Sequence, residues 1–182
     1  MKLIFTFILF LFSALTIQAT TWKVGPTRTY TYCSQVASLV QNGDTIEIDA
    51  GTYINDPQVI WSKNNLFITG VAGRPRLQAG SIIANDMVNG KGIFVISGAN
   101  IHVHNIEFAN ATVQSHNGSG IRQEGANLLV THCKFDGNEM GILLPGAPQD
   151  SAGSRALWTL RVVGANSSRR DCSGRRLRPM RA

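Results

Sequence analysis

Asn65-Leu66-Phe67-Ile68-Thr69-Gly70-Val71, Asn100-Ile101-His102-Val103-His104-Asn105-Ile106 and Asn127-Leu128-Leu129-Val130-Thr131-His132-Cys133 are three versions of one pattern. Each begins with Asn, continues with two apolar residues two apart, is interrupted by a polar residue or Gly, and resumes with Val71, Ile106 or Cys133. Side chains alternate between the faces of a strand, so apolar positions two apart share a face. The interruption is what a chain needs where one strand bends sharply into another while both keep an apolar side toward a common interior. The later two copies run on to Phe108 and Phe135, follow Gly98-Ala99 and Gly125-Ala126, and lie 27 residues apart, Asn100 against Asn127.

Outward from these copies, Gly92-Ile93, Gly120-Ile121 and Gly141-Ile142 each begin a further matched strand. The unit is therefore several short strands separated by Gly- and Asn-rich turns, with no helix long enough for a βαβ crossover. Such a unit cannot bury its apolar side alone and must stack on its neighbours. The expected architecture is all-β, a solenoid whose coils pair as parallel strands and contribute Ile, Val, Leu and Phe to an interior stack. An antiparallel sandwich also has short strands and turns, but it explains the alternation without explaining the common register of the three copies. Upstream, Cys33, Val36, Ala37 and Val40 fall at helical spacing and form one apolar stripe, which Gly43 ends. From Thr45 the period changes to two, with Ile46 and Ile48 alternating with Glu47 and Asp49, and Gly51-Thr52-Tyr53 follows as a turn.

Val24-Gly25-Pro26, the amphipathic helix, Gly43-Asp44-Thr45-Ile46 and Gly51-Thr52-Tyr53 resemble the N-terminal cap and first coil of right-handed parallel β-helix proteins of the pectin-lyase-like superfamily. Gly120-Ile121-Arg122 through Asn127-Leu128, and Cys133-Lys134-Phe135 to Gly141-Ile142-Leu143, are similar to that family's repeating coils. The resemblance runs from about residue 22 to 145. It implies a right-handed parallel β-helix whose short N-terminal capping helix covers the first coil, with Asn105 and His132 at the turn where such proteins stack polar side chains. It further implies an exported protein of a kind often concerned with polysaccharides, in a family whose members are normally longer.

The ends of the chain differ from this middle. Lys2, the apolar run Leu3 to Phe12 broken only by Thr6, and the small and polar residues ending at Ala19 read as a secretory signal peptide over residues 1–19. The run is too short for a membrane span, which needs about 20 apolar residues. Residues 20–145 are expected to form the β-helix, and 146–182 an irregular, Arg-rich tail in which Leu157 to Val163 forms one isolated strand at most. Residues 1–145 hold nine Lys plus Arg against nine Asp plus Glu, whereas 146–182 hold eight Arg against two Asp, so the net charge of +6 belongs wholly to the tail. The expectation is a shifted reading frame or an unrelated ending on a truncated β-helix gene. The functional alternative is a basic arm, Arg169-Arg170 with Arg175-Arg176-Leu177-Arg178, for an anionic polymer or surface. An exported chain rarely meets nucleic acid, and none is expected as a partner. Truncation would leave an open strand edge at the last coil, and self-association through that C-terminal edge is the expected consequence.

A lyase of this fold needs a base to take the proton beside a sugar carboxylate and a cation to steady the enolate. Arg122 and Glu124 on the outward side of a strand, with His116 in the loop before them, are the candidate catalytic residues. Calcium is implied as a cofactor by the resemblance alone; the carboxylate cluster of the better-known relatives is not visible, and no cofactor is expected. Asp136 and Glu139, the other carboxylates to test, read as solvated turn residues. His102 and His104 place two imidazoles on one strand face with Glu107 near, but a zinc site wants three or four ligands, so no metal site is assigned. Phe67 and Phe94 are the aromatic residues expected on the outward face, and so the candidates for stacking on sugar rings. Cys133 aligns with Val71 and Ile106 and reads as a small core residue; Cys33, Cys133 and Cys172 are too few and scattered for a disulfide framework. Asn110-Ala111-Thr112, Asn117-Gly118-Ser119 and Asn166-Ser167-Ser168 match the N-glycosylation pattern. Two functions follow, a secreted or periplasmic β-helix that binds or processes polysaccharide, and a non-catalytic structural solenoid.

Overall fold

The computed structural model describes residues 18–80, 92–114, 116–144, 159–164 and 166–167. Residues 1–17 of the expected signal peptide and most of the Arg-rich tail lie outside them, as does Cys172. The elements in chain order are β1 (Thr21–Val24), α1 (Ser34–Ala37), β2 (Thr45–Asp49), β3 (Thr52–Ile54), β4 (Val59–Trp61), β5 (Phe67–Val71), β6 (Arg76–Gln78), β7 (Gly92–Ile96) and β8 (Ile101–His104). They continue with β9 (Glu107–Ala109), β10 (Ser119–Gln123), β11 (Leu128–Thr131), β12 (Lys134–Asp136), β13 (Met140–Leu143), β14 (Leu160–Val163) and β15 (Asn166–Ser167).

These strands form three sheets in which every pairing is parallel: β1-β2-β5-β8-β11-β14, β3-β6-β9-β12-β15 and β4-β7-β10-β13. From β3 onward the chain visits the three sheets in turn and returns to each at every third strand, a pattern consistent with an all-β parallel solenoid. The alternation of the repeat accounts for it. Ile68, Val103 and Val130 pair in one row, and Ile101 pairs with Leu128; all are buried, while Phe67, His102 and Leu129 between them face outward. Burying an aliphatic or aromatic side chain of this size stabilises by about 1.5–3 kcal/mol, and each coil supplies several. In the second and third copies the bend is one residue in the left-handed region, Asn105 (φ 52°) or His132 (φ 54°).

The interior carries an aromatic column. Trp61 meets Phe94 edge to face at 5.5 Å, Phe94 meets Phe108 at 5.1 Å, and Phe108 stacks on Phe135 at 5.5 Å with 14° between the planes. Phe94 is 0% exposed, so its expected place on the outward face is corrected. Gly92 pairs with Ser119 rather than with Gly120, and Phe94 therefore lies opposite Ile121. A slip of one residue moves every side chain to the other face.

Three further expectations are revised. The turn after β5 is four residues longer than those after β8 and β11, since Phe67 and Arg76 pair with His102 and Glu107, and these with Leu129 and Lys134. Buried Pro75, not Val71, consequently shares a position with Ile106 and Cys133. The amphipathic stripe does face inward, with Cys33, Val36 and Val40 all 0% exposed, but the helix is one turn, Ser34–Ala37, and no capping helix is evident. Finally, Leu160–Val163 is not isolated: it pairs with Leu128–Thr131 and extends the six-stranded sheet beyond residue 145, and Asn166–Ser167 pairs with β12.

Two buried carboxylates secure the N-terminal region. Asp44 accepts hydrogen bonds from the Thr20 and Gln41 backbone N–H groups, each at 2.7 Å, and from Trp22 Nε1 at 2.8 Å. Burial pushes its carboxyl up, but these three donors outweigh burial and hold it below the usual value. Asp56 accepts from the Cys33 N–H at 2.8 Å; there burial prevails and raises the carboxyl. Cys33 and Cys133 are free thiols in the core, and burial pushes Cys133 up to about 11.

Candidate functional site

The outward face of the six-stranded sheet carries two rows of side chains that cross the coils. One reads Thr21, Thr45, Phe67, His102, Leu129, Arg161; the other reads Lys23, Glu47, Thr69, His104, Thr131, Val163. Where they meet the third, fourth and fifth strands they make a cluster of rings. Phe67, 36% exposed, leans on His102 at a centroid distance of 4.9 Å; His102 and His104 are 5.9 Å apart, and His104 meets His132 edge to face at 5.1 Å.

The hydroxyl of Thr131 joins two of the imidazoles. Its Oγ1 lies 2.7 Å from His102 Nε2 and 2.7 Å from His104 Nδ1. A hydroxyl has one hydrogen to donate, so at least one of the two imidazoles carries its proton on the nitrogen facing Thr131. Burial and the neighbouring charge of His104 hold His102 below the usual histidine range, and burial and His132 do the same to His104. Among the described residues no group of three or more His, Cys, Asp or Glu is arranged to hold a metal ion. The alignment of the repeats already put Thr131 in the row of His104 and His132 in the adjoining turn; what it lacked was the reach of the side chains.

The candidate catalytic residues divide into two pairs. Arg122 Nε lies 2.9 Å from Glu124 Oε1 on and just beyond β10, whereas His116, 89% exposed, lies 3.4 Å from Glu139 Oε1 in the loop between β9 and β10. Glu139 is no solvated bystander: its Oε2 accepts the N–H groups of Val113 at 3.0 Å and Gly118 at 2.6 Å, which shapes that loop. Asp136 and Glu107 lie with Arg76 and Lys134 in a charge network on the outward side of the five-stranded sheet. Carboxylates already matched to two cations do not fit a calcium site, which takes six to eight oxygen ligands.

The polar stack implied at Asn105 and His132 is found one turn earlier. Asn100 Nδ2 donates to Asn65 Oδ1 at 3.1 Å, and Asn127 Nδ2 donates to Asn100 Oδ1 at 2.9 Å, a ladder of amides through three coils. All three residues have positive φ, 59°, 58° and 56°, which Asn tolerates better than most residues. Asn105 instead donates its amide to the carbonyls of Gly70 and Gly73 at 3.1 and 2.9 Å. Near the N-terminus a shallow hollow of about 290 Å³ is lined by Thr21, Trp22, Lys23, Arg28, Thr29 and Tyr30. Three of its polar side chains are engaged already, Trp22 by Asp44, Arg28 by Asp49 and Lys23 by Glu47.

Compared with protein-family models, with curated proteins and with solved structures, the chain has no match in any of the three. Among the described residues no helix is long and apolar enough to cross a membrane.

Proposed function

We propose that this chain is an exported, right-handed parallel β-helix of the pectin-lyase-like kind that binds polysaccharide on the outward face of its six-stranded sheet. The observation that carries the reading is the exposed Phe67 ring leaning on His102, within a row of side chains that runs across successive coils. Strands in one sheet are about 4.8 Å apart, so such a row offers an extended chain a regular series of contacts. An aromatic face takes the apolar side of a sugar ring, and imidazole and hydroxyl groups beside it take the sugar hydroxyls.

Binding is favoured over lyase chemistry because the candidate catalytic residues are engaged in ion pairs within the chain. His116 pairs with Glu139 and Arg122 with Glu124, so a lyase would have to break the Arg122–Glu124 pair before that cation could steady an enolate. Export rests on the N-terminal pattern from Lys2 to Ala19.

The test is binding to a panel of neutral and acidic polysaccharides by affinity electrophoresis, with absorbance of unsaturated products followed in parallel. Phe67→Ala should weaken binding about 10-fold, the equivalent of about 1.4 kcal/mol, without altering the unfolding midpoint by more than a small amount. Unsaturated product that disappears in Arg122→Ala would establish the lyase instead. No product and no binding across the panel would leave a structural solenoid.

A further inference from the structure

We propose that His102, His104 and His132 form an acid-gated anion site, and that the polymer bound on this face is a polyanion carrying sulfate or carboxylate groups. The inference rests on the polysaccharide-binding reading and names the class of chain bound.

The groups around the three imidazoles decide the matter. From β5 the cluster is faced by Phe67 and Thr69, and from β11 by Leu129 and Thr131, none of them charged. From the turns come Asn105 and Arg74, whose Nε donates to Asn105 Oδ1 at 3.3 Å. Further out in the same rows, Arg161 on β14 adds a cation beyond Leu129. Glu47 is the nearest carboxylate in the two rows; it lies two strands from His104 and is paired with Lys23 at 3.8 Å. A proton taken up by this cluster thus meets the other imidazoles; among the described residues no carboxylate lies on β5, β8 or β11, and Glu107, at the start of β9, is paired with Arg76 and Lys134. A bound anion would supply the balancing charge.

The geometry also joins the imidazoles into one unit. His102 and His104 share the Thr131 hydroxyl, and His104 lies against His132. Burial and the adjoining imidazole disfavour the charged form of His102 and of His104, and a bound anion opposes both effects by favouring it. Binding and protonation therefore strengthen each other: as the pH falls, affinity for a polyanion rises and protons are taken up with it. A neutral glucan gains nothing from the same protonation.

The experiment uses dextran sulfate, whose charge does not change in the range, and unmodified dextran, with the full chain at pH 7.5 and 5.0. Far-UV circular dichroism at both values verifies that the fold persists. For dextran sulfate the expected result is at least about 10-fold tighter binding at pH 5.0, which is one pKa unit of coupling, and for dextran no change. The doubly substituted His104→Gln, His132→Gln chain should lose the pH dependence. His116→Gln, at the exposed histidine outside the cluster, should keep it. Dextran sulfate binding that is equal at both pH values, or pH dependence that survives in the double variant, overturns the acid-gated site while the polysaccharide reading stands. A folded chain that binds neither polymer at either pH overturns both.

Discussion

Phe94→Ala separates an interior role for this residue from a surface one. Phe94 is fully buried and meets Trp61 and Phe108 edge to face at 5.5 and 5.1 Å. Truncating a core Phe costs about 3–5 kcal/mol, and loss of two aromatic contacts, each about 0.5–1.5 kcal/mol, argues for the upper half of that range. Against a domain stability of about 5–15 kcal/mol, a loss of about 4 kcal/mol is severe. In urea, with an m-value of about 2 kcal/mol per M, the midpoint falls by about 2 M. Phe94→Leu leaves less of a void and should lose about 1–2 kcal/mol. Equilibrium unfolding followed by tryptophan fluorescence measures all three chains. A Phe94→Ala chain that lost less than about 1 kcal/mol, or that lost polysaccharide binding at an unchanged midpoint, would refute the inward register of β7.

Two other substitutions test the local devices of the fold. Asn100→Ala removes the middle of the amide ladder and puts Ala at a φ of 58°; a thermal melt should show a loss of about 1–2 kcal/mol, and Asn100→Gly should recover part of it. A neutral Asn100→Ala would mean that neither ladder nor turn contributes. Asp44→Asn should cost about 2 kcal/mol at pH 7 by weakening charge-assisted hydrogen bonds from Thr20, Gln41 and Trp22. Because the folded carboxyl lies below its unfolded value of 3.8, its contribution is complete above that pH and is lost as the pH falls through the folded value. The gap between wild type and variant should therefore close below about pH 4; a gap independent of pH would sink the account.

The repeat was legible where it obeys strict alternation. Leu66 and Ile68, Ile101 and Val103, and Leu128 and Val130 all lie inside, and the three copies pair in the register their alignment implies. It misled where Gly was used as a landmark: matching Gly92 to Gly120 displaced β7 by one residue and turned Phe94 outward. Counting residues from Asn sets Val71 against Ile106, whereas the chain spends four extra residues before buried Pro75 completes the bend. Leu160–Val163 went unrecognised as part of the stack because one short apolar run, remote from the repeat, has no period to announce its partner. At the site, the pattern put His102 and His104 together, but the bridge through Thr131 depends on side-chain reach between coils that spacing alone does not encode.

The lengthened turn after β5 has a consequence for how such a chain can change. Nine positions separate Phe67 from Arg76 where five separate His102 from Glu107, yet both ends of each segment meet their partners in the neighbouring coil. The stack thus enforces where strands begin and is indifferent to how much chain is looped out between them. Evolution can lengthen such a bend without redesigning the coils above or below it. The same permissiveness makes the Val71–Pro75 bend a natural grafting point, where a foreign loop can be displayed on a surface that the rest of the molecule already holds still.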